Sequence, residues 1–187
     1  LLAAANDRFK KAGIILILSS EKVIDVCFDK WKTYKYAKSH DIYTPNTFLS
    51  LTEAKAAIHK KELTFPLVLK PRWGSASIGL DFPQDMEELD LSYRLLRNRL
   101  LLTILAEASK TDLEQAILIQ EKMSGTEYGL DVFNNFDCQP VQVFVKEKLS
   151  MRAGETDKAV LRNNPDLEAI GFKIGESLGH LGNLDCD

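Results

Sequence analysis

Cysteine is scarce in this chain, three in 187 residues, at Cys27, Cys138 and Cys186. No two of them have metal-ligand spacing, and an odd count leaves no disulfide framework, so a reducing, cytoplasmic setting is expected. Long apolar runs are missing as well. The longest, such as residues 14–18 and 100–102, fall far short of the ~20 residues that a bilayer requires. Residues 1–5 are apolar but lack the basic flank and length of a signal peptide. There is no basic excess: 27 acidic side chains face 24 basic ones, for a net charge of -3. That removes the usual ground for nucleic-acid binding and still permits a local basic site. Histidine is limited to His40, His59 and His180, read as structural or exposed. No Ser–His or Cys–His arrangement is legible, so no protein nucleophile is expected. There is no internal repeat and no low-complexity tract. What is present is a 45% hydrophobic chain, enough for one good core or two small packed lobes. It opens without Met, which reads as a fragment.

One stretch organises the rest: FPLVLKPRWGSASIGL, residues 65–80. Its first five residues are an apolar run suited to a buried strand. The strand delivers Lys70, then Pro71, and an ammonium at the end of a buried strand needs an anionic partner. Gly74-Ser75-Ala76-Ser77-Ile78-Gly79 follows. Small side chains there leave backbone N–H groups open to an anion. Strand, lysine and small-residue loop together suit a polyphosphate. The pattern is neither a P-loop nor G-x-G-x-x-G, and alone it fits an ordinary strand and hairpin loop equally well.

Before this stretch, residues 2–11 read as a helix and residues 14–18 as a buried strand, half of an α/β unit whose other half would precede Leu1. Asp29 is an N-cap for a helix from Lys30 to about Ser39, with Trp31, Tyr34 and Ala37 on one face. Lys32, Lys35 and Lys38 read as a solvated face. Lys30 differs, because it sits in the first turn and opposes the helix dipole. Residues 42–48 read as a short extended segment. Ser50 to Glu53 is a capping box for a short helix, with His59 at its exposed end.

After it, residues 80–82 read as a second strand, residues 86–107 as one long helix and residues 109–115 as a polar linker. Residues 116–121 form another strand, ending Glu121-Lys122-Met123. Residues 126–133 and 141–145 read as an antiparallel hairpin. Residues 146–158 are too charged for core and too dense in functional groups for a spacer. Asn164 and Pro165 open a last helix that Gly182 ends. Leu184-Asp185-Cys186-Asp187 then reads as a strand with two carboxylates on one face.

Four features thus come in order: Lys30 after an aspartate, Lys70 with its loop, the strand ending Glu121-Lys122-Met123, and the last carboxylates. Two lysines can neutralise phosphate charge. A strand-to-loop segment can offer backbone groups to an adenine edge. Glu127 can accept from ribose hydroxyls, and Asp185 and Asp187 are hard oxygen ligands for magnesium.

This order resembles the ATP-grasp superfamily, most closely its carbamoyl-phosphate-synthase-like branch. The resemblance rests on FDKWKTYKYAKSHDIYTPNTF, FPLVLKPRWGSASIGL, ILIQEKMSGTEYGLDVF, FVKEKLSMRAGETDKAV and GHLGNLDCD. It implies an α+β fold of two lobes with antiparallel sheets and an ATP cleft between them, truncated at both ends. It also implies an order along the chain: residues 1–28 as the end of a preceding Rossmann-like domain, 29–115 as the N-terminal lobe with its lid, and 116–187 as an incomplete C-terminal lobe.

By position, the resemblance gives Lys30 and Lys70 to the phosphates and Gly74, Ser75, Ser77 and Gly79 to the lid. Glu121, Lys122 and Met123 line the adenine pocket, and Glu127 holds the ribose. Arg152 and Lys158 face the γ-phosphate or the acyl substrate. Asp185, with Asp187 second, is the metal ligand. The family's Glu-x-Asn metal motif should lie beyond Asp187, so these residues do not make a full metal site alone.

The implied chemistry is ATP- and Mg2+-dependent activation of a small carboxylate or amino-acid substrate as an acylphosphate, then attack by an amine, or carbamoyl-phosphate formation. The implied partners exclude nucleic acid and membrane; a homodimer stays open. Two alternatives stand beside this ligase reading. One is a nucleotide-binding or regulatory module without catalysis. The other is a plain structural α+β domain.

Overall fold

The computed structural model describes residues 1–74, 77–110, 112–152 and 154–187. In chain order its helices are α1 (Asn6–Lys11), α2 (Glu21–Phe28), α3 (Lys30–Ser39), α4 (Leu51–His59), α5 (Met86–Leu100), α6 (Ala106–Ser109) and α7 (Pro165–Leu178). Its strands are β1 (Thr47–Phe48), β2 (Leu67–Pro71), β3 (Ile117–Glu121), β4 (Tyr128–Asn134), β5 (Pro140–Arg152), β6 (Glu155–Arg162) and β7 (Gly182–Cys186). The fold is α+β with two antiparallel sheets. The chain divides into two compact units, Phe28–Ser124 and Leu1–Cys27 with Gly125–Asp187. No described helix is long and apolar enough to cross a membrane.

The unit 28–124 is built on the sheet β1-β3-β2. Ile117, Leu118 and Ile119 of β3 are fully buried, as are Leu67 and Leu69 of β2. Ile117, Ile119, Leu67 and Leu69 form one core with Leu63, Leu89, Leu96 and Leu100. Side-chain caps fix where the helices start. Asp29 accepts from the Trp31 N–H at 3.0 Å, Ser50 from that of Glu53 at 3.3 Å, and Asp85 from those of Glu87 and Glu88 at 2.9 Å. Each satisfies a donor that a helix leaves unpaired in its first turn.

The second unit is built on the sheet β6-β5-β4-β7, with α7 packed on one face. Gly171 and Gly175 make that packing close, since a Cβ at Gly171 would stand 2.6 Å from Val143. Asn134 fixes the contact by donating to the Gly175 carbonyl at 2.9 Å. Asn164 caps α7 with Pro165 behind it, as the sequence predicts, but Gly179 ends the helix in the left-handed region at φ 62. Gly182 instead opens β7. His180 is buried and bonds through Nε2 to the Val132 carbonyl at 2.9 Å, a structural role.

Several sequence expectations are corrected. Residues 14–18 form no strand: Ile14, Ile15 and Ile17 are 49%, 89% and 72% exposed. An apolar run becomes a strand only where a neighbour takes up its N–H and C=O groups, and no described strand pairs with it. Residues 80–82 amount to one isolated bridge, Asp81 to Leu69. The long helix stops at Leu100, where the Thr103 hydroxyl donates to the Leu100 carbonyl at 2.8 Å. A short α6 follows. Residues 146–158 are mostly strand, because β5 and β6 extend as a ribbon whose faces need no core. The helix α2 was not anticipated. β3, expected alongside the C-terminal strands, is the central strand of the first sheet.

Candidate functional site

In the unit 28–124, β2 carries Lys70 at its end and the first turn of α3 carries Lys30. Lys30 Nζ donates to the Gly74 carbonyl at 2.5 Å. Burial, and then repulsion from Lys70, push the Lys30 pKa down to about 8, only partly offset by Asp29. Burial also lowers the pKa of Lys70. The two ammoniums are thus close enough to repel, and half-buried. Asp29, beside them, gives both carboxylate oxygens to Arg72, at 2.7 Å each. Burial alone would raise the Asp29 pKa; Arg72 and the cap N–H groups bring it below the ordinary value. The result is a surplus of positive charge next to a small-residue loop, of the kind that a polyanion would relieve.

The loop turns at Gly74 and Gly79, with φ 93 and 72, and at Ser77, with φ 55. A side chain at Gly74 would run into Leu105, and one at Gly79 into Leu96 and Pro71. Ser75 lies outside the described residues.

Along the same sheet, Lys70 pairs with Leu118 and Leu67 with Glu121, a separation of about 10 Å. Because strand side chains alternate, Glu121 shares the face of Leu67 and Leu69, opposite to Lys70. Its carboxylate accepts from the Asn46 N–H at 3.2 Å. Lys122 lies over the Phe82 ring at 5.3 Å, and Met123 is 48% exposed.

In the other unit, the face of the sheet away from α7 carries Glu127, Asp131, Asp185, Asp187, Lys146 and Lys148. Lys146 pairs with Asp131 at 2.9 Å and Asp185 at 3.0 Å. Lys148 pairs with Glu127 at 3.0 Å and Asp187 at 2.5 Å. Burial opposes the charge of both lysines, but these carboxylates outweigh it and raise both pKa values. Cys186 is pushed up to about 12 by burial and then by Cys27 and the nearby carboxylates.

Asp185 and Asp187 are therefore brought together, each held by an ammonium. Among the described residues no group of three or more His, Cys, Asp or Glu side chains could hold a metal ion. The donors suit a hard cation in type and fall short in number. Arg152, at the end of β5, and Lys158, in β6, are exposed. Register shifts between Lys148 and Met151 re-aim this end of the ribbon.

Arg72, Asp131, Lys146 and Lys148 were not singled out from sequence. The signal for the two lysines was the i, i+2 spacing of Lys146 and Lys148 against that of Asp185 and Asp187. It is visible only once residues 140–152 are taken as a strand.

The fold is that of an α+β protein with antiparallel sheets, and one of its units brings two half-buried lysines together. The profile of the ATP-grasp domain family matches residues 63–161, just over half of the chain, and the chain belongs to that family. It is 24% identical to the α-aminoadipate–LysW ligase LysX of Sulfolobus acidocaldarius, over 82% of this chain and 53% of the relative. It thus spans about half the length of that curated relative. Among solved structures it resembles the VanG D-Ala:D-Ser ligase of Enterococcus faecalis. There the TM-score is 0.65 at 22% identity, covering 98% of this chain and 54% of that one. It also resembles a biotin carboxylase–β-γ-ATP complex from Campylobacter jejuni, with TM-score 0.72 at 16% identity, covering 97% and 41%. At these identities the structural likeness is one of fold.

Proposed function

We propose that this protein binds ATP with magnesium and uses it to join a carboxylate to an amine. The observation that carries the reading is the half-buried Lys30–Lys70 pair beside the Gly74 carbonyl. A triphosphate would meet both ammoniums and the N–H groups of the loop that includes Gly74, Ser75, Ser77 and Gly79. Glu121, Lys122 and Met123, about 10 Å further along the sheet, are assigned to the adenine. For Glu121 and Met123 this means backbone groups, because the Glu121 carboxylate is engaged by Asn46. Glu127 is assigned to the ribose.

In the reaction, a carboxylate oxygen of the substrate attacks the γ-phosphorus. The bond to the β-phosphate oxygen breaks, and ADP leaves. The amine then attacks the acyl carbon and expels phosphate. Lysines that already face the phosphates stabilise the charge that moves onto ADP without rearranging. Arg152 and Lys158 are assigned to the γ-phosphate or the acyl group. Asp185, with Asp187 second, is what this chain offers to the magnesium, which when bound would neutralise phosphate charge. Two named ligases among the related proteins support the ligase class; the substrate and a cytoplasmic setting are part of the proposal.

Titration calorimetry with MgATP on the wild type and on Lys70→Ala tests the phosphate roles. Binding that Lys70→Ala weakens by about 10- to 100-fold is expected, and equal affinity in the two proteins contradicts them. Phosphate release screened across carboxylates and amino acids tests the chemistry. ATP binding with no phosphate release for any substrate marks a nucleotide-binding module without catalysis.

A further inference from the structure

Asp29 and Arg72, next to Lys30 and two residues beyond Lys70 in sequence, are both largely taken out of water. Asp29 is 3% exposed, and the Arg72 side chain 12%. Arg72 Nε donates to Asp29 Oδ1 and Nη2 to Oδ2, both at 2.7 Å, the fork geometry that only a guanidinium provides. The same Oδ1 accepts from the Trp31 N–H at 3.0 Å and the Lys32 N–H at 3.4 Å. One carboxylate therefore grips both the first turn of α3, which carries Lys30, and the residue two beyond Lys70.

The backbone closes the same loop. The Lys30 N–H donates to the Arg72 carbonyl at 3.1 Å, and the Arg72 N–H to the Ala116 carbonyl at 2.8 Å. The guanidinium also lies over the Trp73 ring at 4.7 Å, and Trp73 packs on the core.

Capping does not require any of this. Ser50 and Asn164 cap α4 and α7 with no ionic partner. Nor is stability the reason, since an ion pair taken out of water recovers little of its desolvation cost. Two ammoniums that repel, one on a helix and one on a strand, do need an element that stops the helix and strand from moving apart.

We propose that Asp29 and Arg72 are positioning residues: a bidentate ionic brace that fixes the spacing of Lys30 and Lys70 so that both meet one polyphosphate. This rests on the ATP reading above. Arg72 itself touches no phosphate in this arrangement; its charge is spent on Asp29.

The test is Arg72→Lys, which keeps the charge and loses the fork, with Asp29→Asn as the second variant, because asparagine still caps α3. Calorimetry with MgATP and with adenosine is combined with NMR titration of 13C-labelled Lys30 in nucleotide-free protein. Both variants are expected to bind MgATP about tenfold more weakly and adenosine as the wild type does. In Arg72→Lys, which keeps the Asp29 carboxylate, Lys30 should titrate above the wild-type value of about 8, because separation relieves the repulsion; Asp29→Asn also removes a charge that raises Lys30 and is read by affinity alone. A Lys30 titration unmoved in Arg72→Lys overturns the brace, whatever happens to affinity. Equal loss of adenosine and MgATP overturns it too, since that is general damage. If the wild type does not take MgATP at all, the nucleotide reading fails, and the Lys30 titration still decides the brace.

Discussion

The unit 28–124 and the unit formed by residues 1–27 and 125–187 each hold two neighbouring lysines, and they treat the charge in opposite ways. Lys146 and Lys148 are wrapped by four carboxylates, which raise their pKa values. Lys30 and Lys70 have a single carboxylate nearby among the described residues, and Arg72 takes both its oxygens. Their pKa values fall. The first pair is satisfied by the protein. The second is left with a repulsion that Asp29 only partly offsets. Lysines alike in sequence therefore differ in function through their company, and a site for a polyanion shows itself as unrelieved like charge in a half-buried place.

The sharpest way to break this contrast is Lys70→Ala. Removing one charged hydrogen-bond donor to phosphate should weaken MgATP binding by about 10- to 100-fold, read by calorimetry. A smaller change would mean that Lys70 is as self-sufficient as Lys148.

The pH dependence comes next. Free Lys30 loses its proton at about pH 8, so MgATP affinity should fall above that point, by up to about tenfold per pH unit, until the pH reaches the higher Lys30 value of the bound protein. Stability of the nucleotide-free protein should move the other way. Between about 8 and the ordinary lysine value of 10.5, the unfolded chain holds a proton that folded Lys30 has released. Unfolding therefore becomes harder as pH rises. Lys146 and Lys148 have raised values. Their contribution is present at neutral pH and is lost as pH climbs through those values. Denaturation curves from pH 7 to 10, below the range in which Lys146 and Lys148 titrate, isolate the Lys30 effect when the wild type is compared with Lys30→Met.

Gly171→Ala sharpens the comparison from the packing side. The new methyl would meet Val143 at 2.6 Å. Overpacking of about 1–3 kcal/mol should exceed the gain in helix propensity, for a net loss near 1 kcal/mol in chemical denaturation. Lys148→Met should have the smallest effect, about 1 kcal/mol or less, because both its partners are more than half exposed. MgATP affinity should stay close to that of the wild type.

Much of this was legible in the sequence wherever the signal was local. Asp29, Ser50, Asp85 and Asn164 announce their helices because a cap is a short-range event. Lys70 could be placed because β2 is a buried apolar run. The family was legible because several weak motifs came in order. What failed was non-local. Residues 14–18 look like a strand by composition, but strand formation depends on a partner elsewhere. Beyond Val145 the β5–β6 ribbon is mostly polar and exposed, so no hydrophobic alternation reveals that part of it. Arg72 passed unremarked because its meaning comes from Asp29, 43 residues earlier.

The most direct test of the central claim is to follow Lys30 by NMR through a pH titration with and without MgATP. Lys30 should release its proton near pH 8 in the free protein and hold it to a value higher by about one pH unit or more with nucleotide bound, because phosphate stabilises the ammonium. A titration that is the same in the presence and absence of saturating MgATP would contradict the account.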